Sequence, residues 1–141
     1  MEEQFVTKEI AKRLKEKGFD EPCYAYFRKE DDALIMISSG IAGVKYSYIT
    51  DDPLLAPLWQ QVIDWFRVKH NIRIFENTPL CACSSLSFNE DFKFEVVKIS
   101  GNGGWANSVY GSGGLGSSYR TFPTYKEARE VAIKKALTLI P

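Results

Sequence analysis

Two tryptophans and a phenylalanine on one face of a single amphipathic segment constrain the fold of this chain most. Wound at about 100° per residue, the segment Leu54–Asn71 separates its apolar and polar side chains. The apolar arc holds Leu55, Leu58, Trp59, Val62, Ile63, Trp65 and Phe66, and the polar side holds Gln60, Gln61, Asp64, Arg67 and Asn71. Each of the aromatic rings can bury roughly 150–250 Å². We therefore expect a helix from about residue 57 to 70 with the rest of the chain packed around it.

The length and charge of the chain predict one ordinary globular domain spanning residues 1–141. Its 141 residues are 45% apolar and 26% charged, values typical of globular proteins. Lys plus Arg equals Asp plus Glu, at 18 each. No global field therefore steers the protein toward nucleic acid or anionic lipid, although a local charged patch is compatible with this balance.

The N-terminal residues and the cysteines predict a cytoplasmic location. Met1–Phe5 is acidic and lacks the apolar region of a signal peptide. No apolar run approaches the roughly 20 residues that span a bilayer, so we expect no membrane partner. The three cysteines, Cys23, Cys81 and Cys83, are an odd number at uninformative spacing. They favour free, mostly buried thiols in a reducing compartment.

Capping residues predict a helix near each end of the chain. Thr7 is placed to cap a short surface helix over residues 8–17, which Gly18 ends. Its apolar stripe is narrow, and its basic residues are matched five to five by acidic residues within positions 1–20, which favours a solvated face. Thr124 and Glu127 form a capping box that opens a last helix running to about Leu139.

Between these helices, β-forming runs predict the strands of an α+β fold. Residues 23–28 and 33–38 form a hairpin, and the unbroken apolar run of the second strand indicates that both of its faces are covered. Further strands are predicted at residues 44–49, 72–75, 80–88 and 92–99. We expect a mostly antiparallel sheet of about five or six strands, with the central and C-terminal helices packed on one face. The short N-terminal helix lies at its edge.

Residues 101–118 are the anomaly in composition, with seven of the ten glycines and no charge. Gly111–Gly116 spells G-x-G-x-x-G, but no helix follows directly and only 25 residues remain, so it is not a dinucleotide site. One interpretation is a mobile loop or a hairpin flap packed back on the domain. The other is a recognition loop. Its rings would be Trp105, Tyr110 and Tyr119, and its hydrogen-bonding groups Asn107 and Arg120.

Few residues suggest chemistry. Two thiols on one strand do not make a zinc site, so we expect no metal and no cofactor. His70, the only histidine, could act as a base beside Cys81 or Cys83, but a histidine at a helix terminus more often meets the helix dipole. Arg129 lies on the apolar side of the last helix, where a guanidinium needs a carboxylate, a carbonyl or an anionic ligand. An internal ion pair, or a stem lying on apolar surface, is the alternative.

Three stretches resemble a known group of proteins: Phe19–Cys23, the central helix from Ala56–Gln61 to Lys69–His70, and Tyr125–Glu130. The group consists of small proteins of unknown function carried in bacterial phage and prophage regions. The resemblance covers roughly the first quarter of the chain, the central helix and the last helix. It implies an origin in a mobile element and carries over no catalytic residue.

Together these features predict a non-catalytic, phage-associated accessory protein rather than an enzyme. It would bind a host or phage protein, through residues 101–120. The alternative hypothesis is a protein that binds nucleotides or nucleic acid. In that case Trp105, Tyr110 and Tyr119 stack on bases beside Arg120 and Arg129.

Overall fold

A computed structural model describes residues 2–38, 43–77, 93–99, 106–110 and 124–141. The chain divides into two compact units, Met1–Trp65 with Ile140–Pro141, and Phe66–Leu139. Each unit is described by itself below. The prediction of one domain over residues 1–141 stays a prediction.

The first unit begins with a short 3-10 helix, Glu2–Gln4, and helix α1, Lys8–Glu16. Ile10, Ala11 and Leu14 form the buried stripe of α1, as predicted. Gly18 follows with φ of 81°, a left-handed conformation that favours glycine and ends the helix. The sequence therefore predicted both ends of α1 to within a residue.

The sheet of the first unit contains strands β1, Ala25–Phe27, β2, Leu34–Met36, and β3, Leu54–Leu55, in the order β2-β1-β3. Both pairings are antiparallel. The predicted hairpin of β1 and β2 is confirmed, with Tyr26 opposite Ile35. Helix α1 packs against β3. The buried cluster on one face contains Phe5, Ala25 and Ala56, with Phe27, Leu34 and Leu58 packed against it.

The strand predicted at residues 44–49 is wrong. Val44 makes one antiparallel bridge to Cys23, and Tyr46–Tyr48 is a 3-10 turn. Gly43 precedes the bridge with φ of 71°, and a Cβ there would lie 2.7 Å from Pro22 Cβ. The third strand is β3 instead, because Leu54 and Leu55 pair with β1 before the helix begins.

The central helix α2, Trp59–His70, begins two residues later than predicted and ends at the predicted residue. Trp59 and Trp65 are 3% and 5% exposed, which confirms the two indoles as interior groups. Trp59 Nε1 donates to the carbonyl of Glu3, and the Trp65 ring meets Phe19 edge-on with centroids 5.3 Å apart. Asn71 follows α2 in the left-handed conformation, φ 53°, which ends the helix.

The second unit contains an antiparallel sheet of strands β4, Ile72–Asn77, β5, Lys93–Ile99, and β6, Ala106–Tyr110, in that order. The register between β5 and β6 shifts at Val96/Val97. Helix α3, Tyr125–Thr138, packs against β4 and β5. Its buried residues are Ala128, Ala132, Ile133, Ala136 and Leu137. The strand predicted at residues 80–88 lies outside the described residues.

The α+β class and the antiparallel pairing are confirmed, but the single sheet of five or six strands is wrong. The described strands form two separate three-stranded sheets. The first sheet ends at β3, where the backbone N–H of Leu55 points away from β1 and donates a hydrogen bond to the hydroxyl of Tyr46. Helix α1, expected at the edge of the sheet, packs against β3, which is an edge strand of the first sheet, because its buried stripe needs an apolar partner.

Within the described ranges, no helix is both long enough and apolar enough to cross a bilayer.

Candidate functional site

The predicted recognition segment is described only in part. Trp105, Tyr119 and Arg120 lie outside the described residues. Asn107 and Tyr110 belong to β6, opposite Lys98 and Val96 of β5. Five residues of the glycine-rich stretch therefore form a paired strand, which favours the hairpin interpretation over a loop for residues 106–110.

Arg129 is the only predicted site residue whose side chain is described. It lies in α3, half-buried, with its guanidinium carbon 5.0 Å from the centre of the Tyr125 ring, one helical turn earlier. A cation over an aromatic face is attracted by the ring quadrupole. The structure thus places β6 and α3, which carry Asn107, Tyr110 and Arg129, in the same unit.

Of the three cysteines, only Cys23 belongs to the described residues, and its thiol is in the unreactive form. Cys23 is buried and donates to the carbonyl of Glu21, with sulfur and oxygen 3.4 Å apart. Burial, and then the negative charges of Asp20 and Glu21, raise the pKa of the Cys23 thiol to about 12. The thiolate that a nucleophile requires is therefore scarce at neutral pH. Cys81 and Cys83 lie outside the described residues.

His70 is the last residue of α2 and is half-buried beside Phe66, with ring centroids 6.4 Å apart. Burial, and then the positive charge of Lys98, lower the pKa of His70 below its usual 6.5. The imidazole is therefore neutral at pH 7.

The outer edge of β2 presents backbone groups that no described strand pairs. Arg28 N donates to Ala33 O at 2.9 Å, and Ile37 N donates to Tyr24 O at 2.8 Å. In an antiparallel ladder the bonding direction alternates along the strand. The N–H and C=O groups of Leu34 and Met36 therefore point away from β1. They have no hydrogen-bond partner among the described residues.

The two edges of this sheet differ. At β3, the outward N–H of Leu55 donates to Tyr46 Oη at 2.9 Å, and α1 packs alongside. At β2, two of the usual protections are missing, because residues 33–38 contain neither a charged residue nor a proline. The strand itself is short, with three residues. Natural proteins guard free edges because an edge is a template for another strand. The unguarded edge is therefore the one suited to binding.

Apolar side chains flank the β2 edge on both faces of the sheet. Met36 is 46% exposed on the face that carries Phe27, and Tyr24 is 42% exposed on the opposite face. A depression of about 280 Å³ lies beside the start of β2 and is lined by Phe5, Val6, Phe27, Asp32, Ala33 and Leu34. Tyr and Met are residues enriched at protein interfaces. The edge thus combines free backbone groups with apolar contact area.

The hairpin was predicted from the sequence, but this edge was not. The prediction that both faces of residues 33–38 are covered is wrong, because Leu34 and Ile35 are half-buried and Met36 is exposed. The same run also lacks charge, which is the signal of an unguarded edge strand. That signal becomes informative only once the neighbours of the strand are known.

Comparison of the chain with protein-family models, curated proteins and solved structures finds no match. In the parts of the chain described here, no three His, Cys, Asp or Glu side chains are grouped so as to hold a metal ion. The β2 edge is therefore assessed by its own geometry.

Proposed function

We propose that this chain is a non-catalytic, phage-associated accessory protein that binds a host or phage protein, and that the partner adds an extended segment to β2. The observation that supports this most is the outward direction of the Leu34 and Met36 backbone groups at an uncharged edge. Strand addition obtains affinity from main-chain hydrogen bonds and selectivity from pockets for alternate side chains.

The chemistry of the edge defines the partner segment. It is extended, so that its own N–H and C=O groups meet those of Leu34 and Met36. One side chain on the Phe27 face is apolar, because the depression beside Leu34 is lined largely by apolar residues. Met36, whose side chain is flexible and polarisable, packs beside that residue.

Met36→Pro tests the proposal directly. Proline is tolerated where the strand N–H faces outward, since no ladder hydrogen bond is lost. The variant should fold and melt like the wild type but should present one donor fewer to a partner. Tagged wild-type and variant proteins are incubated with host lysate and with purified proteins encoded beside the gene. We expect a partner that wild type retains and Met36→Pro loses.

Two variants control for loss of folding and for nonspecific binding. Ile35→Pro removes the hydrogen-bonded pair with Tyr26 and should destabilise the hairpin as well. Tyr48→Ala removes an aromatic side chain that is 78% exposed in the 3-10 turn, and it should leave capture unchanged. Equal capture by wild type and Met36→Pro, or no captured partner at all, would overturn strand addition at β2. Dimerisation of the wild type that Met36→Pro abolishes would also overturn it, because the occupant would then be a second copy.

The role predicted for residues 101–120, whether in binding a protein or a nucleotide, stays a prediction with a separate test. Trp105→Ala should abolish capture of the partner, or binding of nucleotide, with the melting temperature unchanged. A loss of stability would instead mark Trp105 as part of the core.

A further inference from the structure

Three lysines of α1 form a cationic stripe. Lys8, Lys12 and Lys15 fall within about 60° of one another around the helix axis, since each residue turns about 100°. The buried stripe of α1, formed by Ile10, Ala11 and Leu14, is centred about 120° away around the axis. The equal numbers of positive and negative residues within positions 1–20 do not show which of these charges share a face of the helix.

Residues from the turn after β1 join this stripe. Arg28 and Lys29 line the same depression as the three lysines, and the depression has a volume of about 330 Å³. Five cations face two carboxylates, those of Glu16 and Asp52, across this lining. Phe27 and Leu54 supply apolar surface between them. Within the lining itself, positive side chains therefore outnumber negative ones, and Asp31 and Asp32 beside it reduce the excess to one.

Several of these cations form ion pairs with aspartates, of which Asp52 belongs to the lining and Asp31 and Asp32 do not. Lys8 pairs with Asp32 and Lys15 with Asp52, and both aspartates have left-handed backbone, with φ of 60° and 51°. Arg28 Nη2 lies 2.6 Å from Asp31 Oδ2. These pairs are exposed, and exposed ion pairs contribute little stability, so a stronger anion can replace them at low cost.

Two cations of the set have no carboxylate within ion-pair distance among the described residues. Lys12 is exposed and lies between Lys8 and Lys15 on the stripe. Lys29 donates through Nζ to the carbonyl of Asp51 at 3.2 Å, a contact with a neutral group. These two lysines are positioned to meet a ligand without first leaving an ion pair.

We propose that this surface binds a chain of linked phosphates. Lys8 and Lys15 are seven residues apart on one helix, which corresponds to about 10 Å along its axis. Their ammonium groups are paired with different aspartates, so one phosphate would have to draw both side chains together. Successive phosphates of a polyphosphate or of a nucleic-acid strand can contact several cations at once. Lysine acts on phosphate as a point charge, and Arg28 adds a planar fork.

The proposal is tested with three probes: inorganic phosphate, tripolyphosphate and a single-stranded oligonucleotide of mixed sequence. Binding is measured by calorimetry or fluorescence anisotropy at several salt concentrations. We expect weak binding of inorganic phosphate and much tighter binding of linked phosphates. Preference for the oligonucleotide over tripolyphosphate at equal phosphate number would identify nucleic acid as the source, and the reverse would identify polyphosphate.

The variant Lys12→Gln/Lys29→Gln should weaken binding of linked phosphates by at least tenfold. For single strands, the loss of two contacts should reduce the slope of log affinity against log salt by about 1.4. The matched control is Lys69→Gln/Lys126→Gln, which removes the same charge from exposed lysines of α2 and α3. Melting curves of all variants exclude unfolding as the cause.

Three results would overturn the proposal. They are the absence of binding to either linked-phosphate probe, equal weakening by the control pair, and salt dependence that does not change in Lys12→Gln/Lys29→Gln. Lys12→Glu provides an independent check, because it reverses the charge at a side chain with no ion pair to lose. It should weaken binding more than Lys12→Gln, with an unchanged melting temperature.

Discussion

The hydroxyl of Tyr46 accepts a hydrogen bond from the backbone N–H of Leu55, with oxygen and nitrogen 2.9 Å apart. Leu55 is 1% exposed, so this N–H has little access to water. Burial of Tyr46 also raises the pKa of its phenol to about 12, which keeps the group neutral. One side chain therefore closes the β3 edge of the first sheet, while no described strand pairs with the β2 edge.

Tyr46→Phe removes this acceptor and leaves a buried donor without its partner. An unsatisfied buried N–H costs about 1–3 kcal/mol, and we expect the free energy of unfolding to fall by that amount. Urea denaturation measures it. Tyr48→Phe, at an exposed position of the same 3-10 turn, should change stability by less than about 0.5 kcal/mol. Equal effects of the two changes would contradict the structural role of Tyr46.

Two threonines precede helices, but only one caps its helix through the side chain. Thr124 Oγ1 accepts from Glu127 N at 3.2 Å, whereas the Thr7 hydroxyl is buried without a hydrogen-bond partner among the described residues. Thr124→Ala should cost about 1 kcal/mol. Thr7→Ala should be neutral or slightly stabilising, because it removes an unsatisfied polar atom. Chemical denaturation of the two variants compares them, and a larger loss for Thr7→Ala would contradict this assignment.

His70 should make stability depend on pH just below neutrality. Its pKa in the folded chain is lowered, first by burial and then by Lys98, so the unfolded chain takes up the proton first as the pH falls. The free energy of unfolding should therefore decrease as the pH drops through 6.5 and should level off below the folded pKa. Denaturation at pH values from 8 to 5 measures this decrease.

The variant His70→Gln should flatten that part of the pH profile. The carboxyl groups of Asp20, Asp31 and Asp52 do not interfere, since hydrogen bonds hold the pKa of each below its usual value. Lys98→Gln should raise the pKa of His70, which proton NMR of the single histidine measures directly. A His70 pKa above 6.5 in the folded chain would show that burial is not the dominant influence.

Cys23 should resist alkylation in the folded protein. Burial raises the pKa of its thiol to about 12, and the thiolate is the reactive form. At pH 8, iodoacetamide should modify Cys23 far more slowly in native buffer than in urea, as measured by mass spectrometry of its peptide. Fast modification under native conditions would show that the thiol is accessible.

Where the outcome depended on neighbours in sequence, the predictions were accurate. The arc of α2, the boundaries of α1 and the Thr124 cap all follow from residues within a few positions of one another. The ion pair of Glu130 and Lys134, at 3.1 Å, likewise joins two residues at i,i+4 spacing. Local geometry is set by backbone propensity and by side chains one turn apart, so the sequence contains it directly.

Where the outcome depended on distant segments, the predictions were wrong or incomplete. Residues 44–49 have the alternation of a strand, yet Leu54–Leu55 takes the place beside β1. Nothing in residues 34–36 alone indicates that β2 lies at the end of its sheet rather than between two strands. The candidate binding residues of 101–120 were identified by composition, and only the strand at residues 106–110 is described.

The sequence by itself determined the helices, the hairpin and the burial of the two indoles, because each of these depends on the periodicity and capping of one short segment. Tertiary structure decided how the strands are divided between two sheets and which edge is closed. It also decided which charges share a surface: Lys8 and Lys12 are brought beside Arg28 and Lys29. Those outcomes depend on which of several competing partners each strand and side chain meets, and that choice is made by the packing of the whole unit.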